Sequence, residues 1–254
     1  MKKVIMLVLC LALCLSMFAG CGASSDEEVF ILGLDDTFAP MGFRDDSNNI
    51  VGFDIDVATA VCDYLGWELQ LQPISWDAKE LELNSGTIDC IWNGMSWSEE
   101  RDEAMTLSIP YMNNEMVFIT REGEISSVAD LAGSVVAVQS GSTADETLSA
   151  SSYASSITIV GFDTNDIALM DLETKGVDAV YMDNVSAGYA IVTSGKDFEM
   201  LAEGSETEQY IIGFRKEDTE LCAEVEEALR ALAADGTLAE ISIKWFSEDV
   251  TIIE

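Results

Sequence analysis

The spacing of apolar residues changes repeatedly along the chain. From Phe53 to Gly66 they recur at Ile55, Val57, Ala58, Val61, Cys62 and Leu65, which predicts one buried face of a helix stopped by Gly66. Trp67–Ile74 alternates strictly, as a strand with one buried face does. Before these comes a short apolar strand, Phe30–Asp35. After them Asp77 is expected to cap a short helix to about Asn84, and Ile88–Trp92 reads as a buried strand. A β-α-β-α-β series of this kind predicts a mostly parallel sheet with helices on its faces.

The series then restarts. A long strand, Glu115–Arg121, leads to strands at Ser134–Gln139, Ser156–Phe162 and Val177–Asp183, with helices between them from about Thr143 and over Thr164–Gly176. A helix over Asn184–Thr193 follows. A second long strand, Gln209–Lys216, precedes two closing helices, Glu217–Asp235 and Thr237–Phe246, separated by Gly236. The two long strands flank the second unit, so they are expected to carry the chain between lobes. The expectation is an α/β protein of two lobes, with lobe 1 built from residues 29–115 and 215–254 and lobe 2, residues 116–214, inserted. The cleft between them then lies at the C-terminal ends of the strands, where open α/β sheets bind ligands.

The N-terminus changes the compartment. Met1-Lys2-Lys3 precedes an apolar run from Val4 to Ala19 that is short for a membrane span, which needs about 20 residues. Residues 1–20 read as a secretory signal. "FAGC", Phe18 to Cys21, resembles the lipobox of bacterial lipoproteins, with Phe18 where Leu is usual; the resemblance implies cleavage before Cys21 and its lipidation. Two acyl chains are what stable anchoring requires. Residues 21–28 then form a small, acidic tether.

Charge and cysteine usage narrow the function classes. The chain has 12 Lys+Arg against 47 Asp+Glu, a formal charge of −35, and export would remove Lys2 and Lys3 as well. Such a surface repels nucleic acid and excludes a DNA- or RNA-binding role. Cys10 and Cys14 leave with the signal. Cys62, Cys90 and Cys222 sit in apolar stretches and read as buried thiols, although a Cys62–Cys90 bridge is open. There is no histidine and no C-x-x-C pair, which leaves zinc sites and histidine catalysis without their usual parts. No cofactor or metal is expected.

The residues that follow the strands carry the chemistry. They are Asp35, the run Asn93-Gly94-Met95-Ser96, the run from Ser140 to Thr143, and Asp183. Arg101 stands out, because a helix beginning near Ser98 favours acids such as Glu99 and Glu100 in its first turn, not a cation. A bound carboxylate would give Arg101 a reason to be there, facing the same anion as the helix N-terminus. Hydroxyls, one guanidinium and carboxylates suit a zwitterion, with Phe38, Trp76 and Trp97 as aromatic walls. Asp54 and Asp56 read as the acidic start of a helix, not an acid/base couple.

Five runs, in order, resemble the amino-acid-binding proteins of bacterial ABC importers. They are "GFDIDVATAV" (Gly52–Val61), "GTIDCIWNGMSWSEER" (Gly86–Arg101), "LAGSVVAVQSGST" (Leu131–Thr143), "VDAVYMDNVSAGY" (Val177–Tyr189) and "ALRALAADGTLAEISIKWF" (Ala228–Phe246). The resemblance implies a type II periplasmic-binding fold with two hinge strands. It implies a carboxylate clamp at Arg101, assisted by Ser96 and the Gly94 backbone, with Thr143 donating from the other lobe. It puts the ammonium partner at Asp183, helped by Asn93 or Gly94 carbonyls. Phe38 becomes the stacking ring, Trp76 the opposite wall and Asp35 the contact to the ligand side chain. Asn93-Gly94 replaces paired serines of some members, and Ala144 lacks a polar group that some members have. The implied protein is a monomeric, non-enzymatic lipoprotein outside the cell membrane that passes an L-amino acid, polar or basic by preference, to an ABC permease. Alternatives are a dehydratase-like enzyme of the same fold and a sensor domain.

Overall fold

The computed structural model describes residues 28–201 and 207–253. The expected signal, Cys21 and most of the tether lie outside these residues. The main strands are β1 (Val29–Leu34), β2 (Glu68–Pro73), β3 (Cys90–Ser96), β4 (Met112–Arg121), β5 (Val135–Gln139), β6 (Thr158–Phe162), β7 (Ala179–Asp183) and β8 (Thr207–Phe214). Together with two short strands they form one ten-stranded sheet, in the order β6-β5-β7-β4-β8-β3-β1-β2. Pairing is parallel among β1, β2 and β3 and among β5, β6 and β7. It is antiparallel where β8 meets β3 and β4 and where β4 meets β7. A three-stranded sheet, Thr37–Phe38, Gly42–Arg44 and Ile50–Val51, packs beside the start of the first unit.

Helices cover both faces, as a buried parallel sheet requires. They are α1 (Phe53–Leu65), α2 (Lys79–Ser85), α3 (Glu99–Ala104), α4 (Thr143–Ala150), α5 (Asn165–Glu173), α6 (Asn184–Ser194), α7 (Thr219–Ala234) and α8 (Thr237–Phe246). Helix α1 buries Ile55, Val57, Ala58, Val61 and Cys62, the stripe read from the sequence, and ends at Gly66 with φ 75°, whose N–H reaches the Cys62 carbonyl. Its apolar face joins Phe30, Leu32, Trp92, Tyr111, Tyr210 and Leu229 in the largest core. The opposite face of that half-sheet packs Trp76, Leu83, Ile91 and Met95. The β5-β6-β7 half has its own two cores, around Phe118 and Val136 on one face and Ile119 and Val180 on the other. Two cored halves thus share one sheet.

The crossing between halves is made by β4 and β8. Over Met112–Glu115, β4 pairs with β8; over Met116–Thr120 it pairs with β7. Each strand therefore changes partner along its length. One expectation needs correction, and one open question is answered. Asp77 does not cap a helix: it lies inside a 3-10 turn, Trp76–Ala78, and α2 starts after Ala78 with no side-chain cap. Cys62 and Cys90 are not bridged; both are buried free thiols, as is Cys222. Among the described residues no helix is long and apolar enough to cross a membrane.

Candidate functional site

Eight of the nine residues expected at the cleft line one cavity between the halves: Asp35, Phe38, Trp76, Asn93, Gly94, Ser96, Thr143 and Asp183. Met95, Met116, Gln139 and Ser142 complete it. Its volume is ≈ 20 Å³, room for about one water. An amino acid enters only when the halves part or side chains withdraw. Arg101 does not line the cavity. It lies directly behind Ser96, 2% exposed.

Ser98 starts α3 as foreseen, its hydroxyl accepting from the Arg101 N–H. The first turn then throws the Arg101 side chain back toward the end of β3. Nη1 donates to the Ser96 carbonyl at 2.7 Å and to Thr143 Oγ1 at 2.7 Å. Nη2 donates to Glu146 Oε1 at 2.9 Å, and Nε is buried without a partner. Thr143 and Glu146 belong to α4, so Arg101 binds across the cleft. Its acidic partner comes from the far half of the molecule and not from Glu100 or Asp102 beside it.

Asp183, another lining residue, closes β7. Asp183 Oδ1 accepts from Tyr210 Oη at 2.7 Å and from Asn114 Nδ2 at 2.9 Å. Asp183 precedes α6 but makes no side-chain cap bond to it, so its carboxylate serves the cleft. Burial, more than any other cause, pushes its carboxyl up to about 7, and the Arg101 charge pulls weakly the other way. Asp35 accepts from Thr37 N–H and Oγ1 through Oδ1, and from Gln139 Nε2 at 2.6 Å through Oδ2. Burial raises its carboxyl as well. Asn93 is turned inward to accept the Asp35 N–H at 3.0 Å.

Gly94 is held in place from behind. Its N–H donates to Asp54 Oδ2 at 2.7 Å, and Tyr111 Oη donates to the same oxygen at 3.1 Å. Asp54 is fully buried, and burial lifts its carboxyl to about 7. It does open α1, as its sequence position implied, but it also anchors the floor of the cavity. Gly94 has φ 58°, and a Cβ there would stand 2.8 Å from Phe38 Cε1. A glycine at this position thus makes room for the ring.

Trp97 is not a wall of the cavity. It is 52% exposed and borders outer grooves instead, because it follows Ser96 on a chain that alternates its faces. Several residues were missed from the sequence. Ser96 Oγ donates to Glu208 Oε2 at 2.6 Å. Burial raises the Glu208 carboxyl despite that bond. Lys79, 4% exposed, donates to the Gly141 carbonyl at 2.8 Å across the cleft and sits 5.3 Å from the Trp76 ring centroid. Gln139 could have been found as the last residue of a strand. Glu146, Glu208, Tyr210 and Asn114 lie within elements, and only tertiary pairing brings them here. Among the described residues no group of three or more Asp, Glu or Cys side chains could hold a metal ion. The arrangement sets hydroxyl and amide groups, buried carboxylates and aromatic surface around one cavity.

Residues 30–248 match the family of bacterial extracellular solute-binding proteins, family 3. The chain is similar to an ABC uptake transporter substrate-binding protein from Streptococcus pneumoniae with bound histidine, at 39% identity over 88% of this chain and 94% of that one, with a TM-score of 0.85. It is 27% identical to the L-cystine-binding protein of Escherichia coli, over 89% of this chain and 85% of that protein. It is 30% identical to the lysine/arginine/ornithine-binding periplasmic protein of Escherichia coli, over 98% of this chain and 99% of that protein.

Proposed function

The chain belongs to the bacterial extracellular solute-binding proteins, family 3, and on that premise we propose that it captures a free L-amino acid between its lobes and hands it to an ABC permease. One observation carries this reading. The buried Arg101 guanidinium bridges the two lobes directly behind Ser96, and the buried Asp183 carboxylate lines the same small cavity as Ser96. An α-amino acid presents the complementary pair of charges at fixed separation, with its carboxylate for Arg101 and Ser96 and its ammonium for Asp183. Phe38 and Trp76 flank what remains of the ligand.

The side chain of the ligand points toward Asp35 and Gln139. A carboxylate and an amide there favour a polar or basic side chain, with a cystine-like ligand next. Relatives named for histidine, for cystine and for lysine, arginine and ornithine fit that range. The lobes are taken as residues 29–115 with 215–254, and residues 116–214. Closure follows from the ligand's greater affinity for the closed form, with β4 and β8 absorbing the rotation. Binding, not catalysis, is the role, in keeping with the relatives. Outside the described residues, Cys21 is taken as the lipidated residue that tethers the protein to the outer face of the cell membrane. A Cys21→Ala chain that remains in the detergent phase would refute that anchor.

The test is a thermal-shift screen of the exported protein against the twenty amino acids and cystine. A ligand at 100 times its Kd stabilises by about 2.7 kcal/mol. Arg101→Ala is expected to erase the shift for every ligand. A response equal to that of the unaltered protein would end the reading.

A further inference from the structure

Glu146 sits one turn into α4, three residues after Thr143, on the lobe facing Arg101. Its side chain is 42% exposed, while that of Arg101 is 3% exposed, so the carboxylate reaches in from the outer groove that it lines with Trp97 and Glu208. It takes Nη2, whereas Thr143 and the Ser96 carbonyl take Nη1. A carboxylate docks on a guanidinium through two adjacent nitrogens, and Nη2 belongs to both pairs that can serve. Nη2 has two hydrogens, so a ligand carboxylate at Arg101 shares that nitrogen with Glu146, and two carboxylates crowded on one guanidinium repel. Glu146 reaches Arg101 from the outer groove and does not line the cavity, so the two carboxylates would meet at the guanidinium from different sides. Of the two, Glu146 has somewhere to go, because its groove is open.

We infer that Glu146 is an affinity-determining residue of the site: an internal carboxylate that occupies the Arg101 clamp across the closed cleft and must be exchanged for the ligand's own. This rests on the reading of Arg101 as the ligand clamp. The exchange moves one carboxylate out and one in, with no net change of charge on the guanidinium. The Glu146 pair favours closure without ligand, and that population is unavailable to a ligand until the pair opens, which lowers the apparent affinity. A second cross-cleft contact behaves differently. Lys79 donates to the Gly141 carbonyl, and neither residue lines the cavity, so that bond supports the ligand-bound closed form as well.

The two contacts therefore make different predictions. In calorimetric titration with the amino acid found by the screen, Glu146→Ala tightens binding about five- to tenfold. Glu146→Asp, which keeps the charge but is too short to reach, tightens it too. Lys79→Gln, which loosens the closed form with and without ligand alike, does not tighten binding. Small-angle scattering without ligand gives a larger radius of gyration for Glu146→Ala than for the unaltered chain. Unchanged or weaker binding by both Glu146 variants overturns the inference, as does tightening by Ala alone, which would mean simple charge repulsion. If no amino acid binds the unaltered protein, the proposed function fails, and the scattering comparison still decides whether Glu146 holds the cleft shut.

Discussion

Tyr210 donates its phenolic hydrogen to Asp183 at 2.7 Å, tying a crossing strand to the end of β7. The bond does two things. It orients the carboxylate proposed to meet the ligand ammonium, and it satisfies a tyrosine that is itself fully buried. Tyr210→Phe keeps the ring and its packing but leaves the carboxylate with Asn114 as its remaining side-chain donor. Ligand affinity is expected to fall about tenfold, in keeping with one hydrogen bond to a charged group. Asp183→Asn is expected to cost about 2–5 kcal/mol of binding, because the ligand ammonium would be buried without its counter-charge. Titration calorimetry of both variants measures the two losses.

Asp54 and Asp183 make stability and binding respond to pH in opposite directions. Burial raises both carboxyls from 3.8 in the unfolded reference to about 7 in the folded protein. Across that window the folded state holds protons that the unfolded chain has lost. The stability these groups contribute is thus fully present below the unfolded value and is lost as pH rises through about 7. Urea unfolding of the ligand-free protein should show a lower midpoint at about pH 8 than at about pH 5, and Asp54→Asn should flatten the slope. Ligand binding should strengthen over the same rise, since an ammonium pairs with ionised Asp183. Proton release on binding near pH 7, seen as a buffer-dependent calorimetric heat, checks the second half. An affinity that grows as the solution is acidified would contradict it.

Gly94→Ala is expected to damage the site more than its size implies. The backbone there is left-handed, at φ 58°, and the new methyl would press on Phe38 at 2.8 Å and on Tyr210 at 3.2 Å. The backbone strain alone costs roughly 1–2 kcal/mol. A lower melting temperature together with weakened binding of every ligand is the expected result. Alanine tolerated at both would show that the Phe38 ring is not fixed where the structure has it.

Asp35→Asn should alter choice more than strength. The carboxylate lines the cavity and is held between Thr37 and Gln139, where the proposed ligand's side chain would lie. Removing its charge is expected to shift the affinity ratio of arginine to glutamine by about tenfold toward glutamine. Competition binding with the two amino acids reads that ratio directly, and an unmoved ratio would remove Asp35 from the specificity contacts.

The residues legible in the sequence were those whose role is written into local pattern. Helical spacing located α1, and alternation located β2. The polar positions after β1, β3, β5 and β7 located most of the cavity, because a strand end in such a sheet is also a cleft residue. Arg101 was legible because it breaks the charge preference of its own helix. Glu146 and Glu208 were not: on an acidic chain one more glutamate on a helix or strand carries no signal, and their partners lie 45 and 112 residues away. Asp54 illustrates a different limit. A helix start and a buried anchor call for the same residue, and only the burial of its carboxylate separates them. Trp97 shows the reverse error, an aromatic next to the site in sequence but turned away by the pleat.

Glu115 and Thr207 face one another in register on the crossing strands. A stretch of chain that departs and rejoins at paired residues has its ends side by side, with both of its cores inside. Such a stretch is a natural cassette. Grafting the corresponding stretch of a relative between these two positions would replace Gln139, Thr143, Glu146 and Asp183 together, and leave Arg101, Phe38 and Asp35 untouched. Half of the recognition surface could then change hands in a single recombination, with the main core of the recipient left uncut.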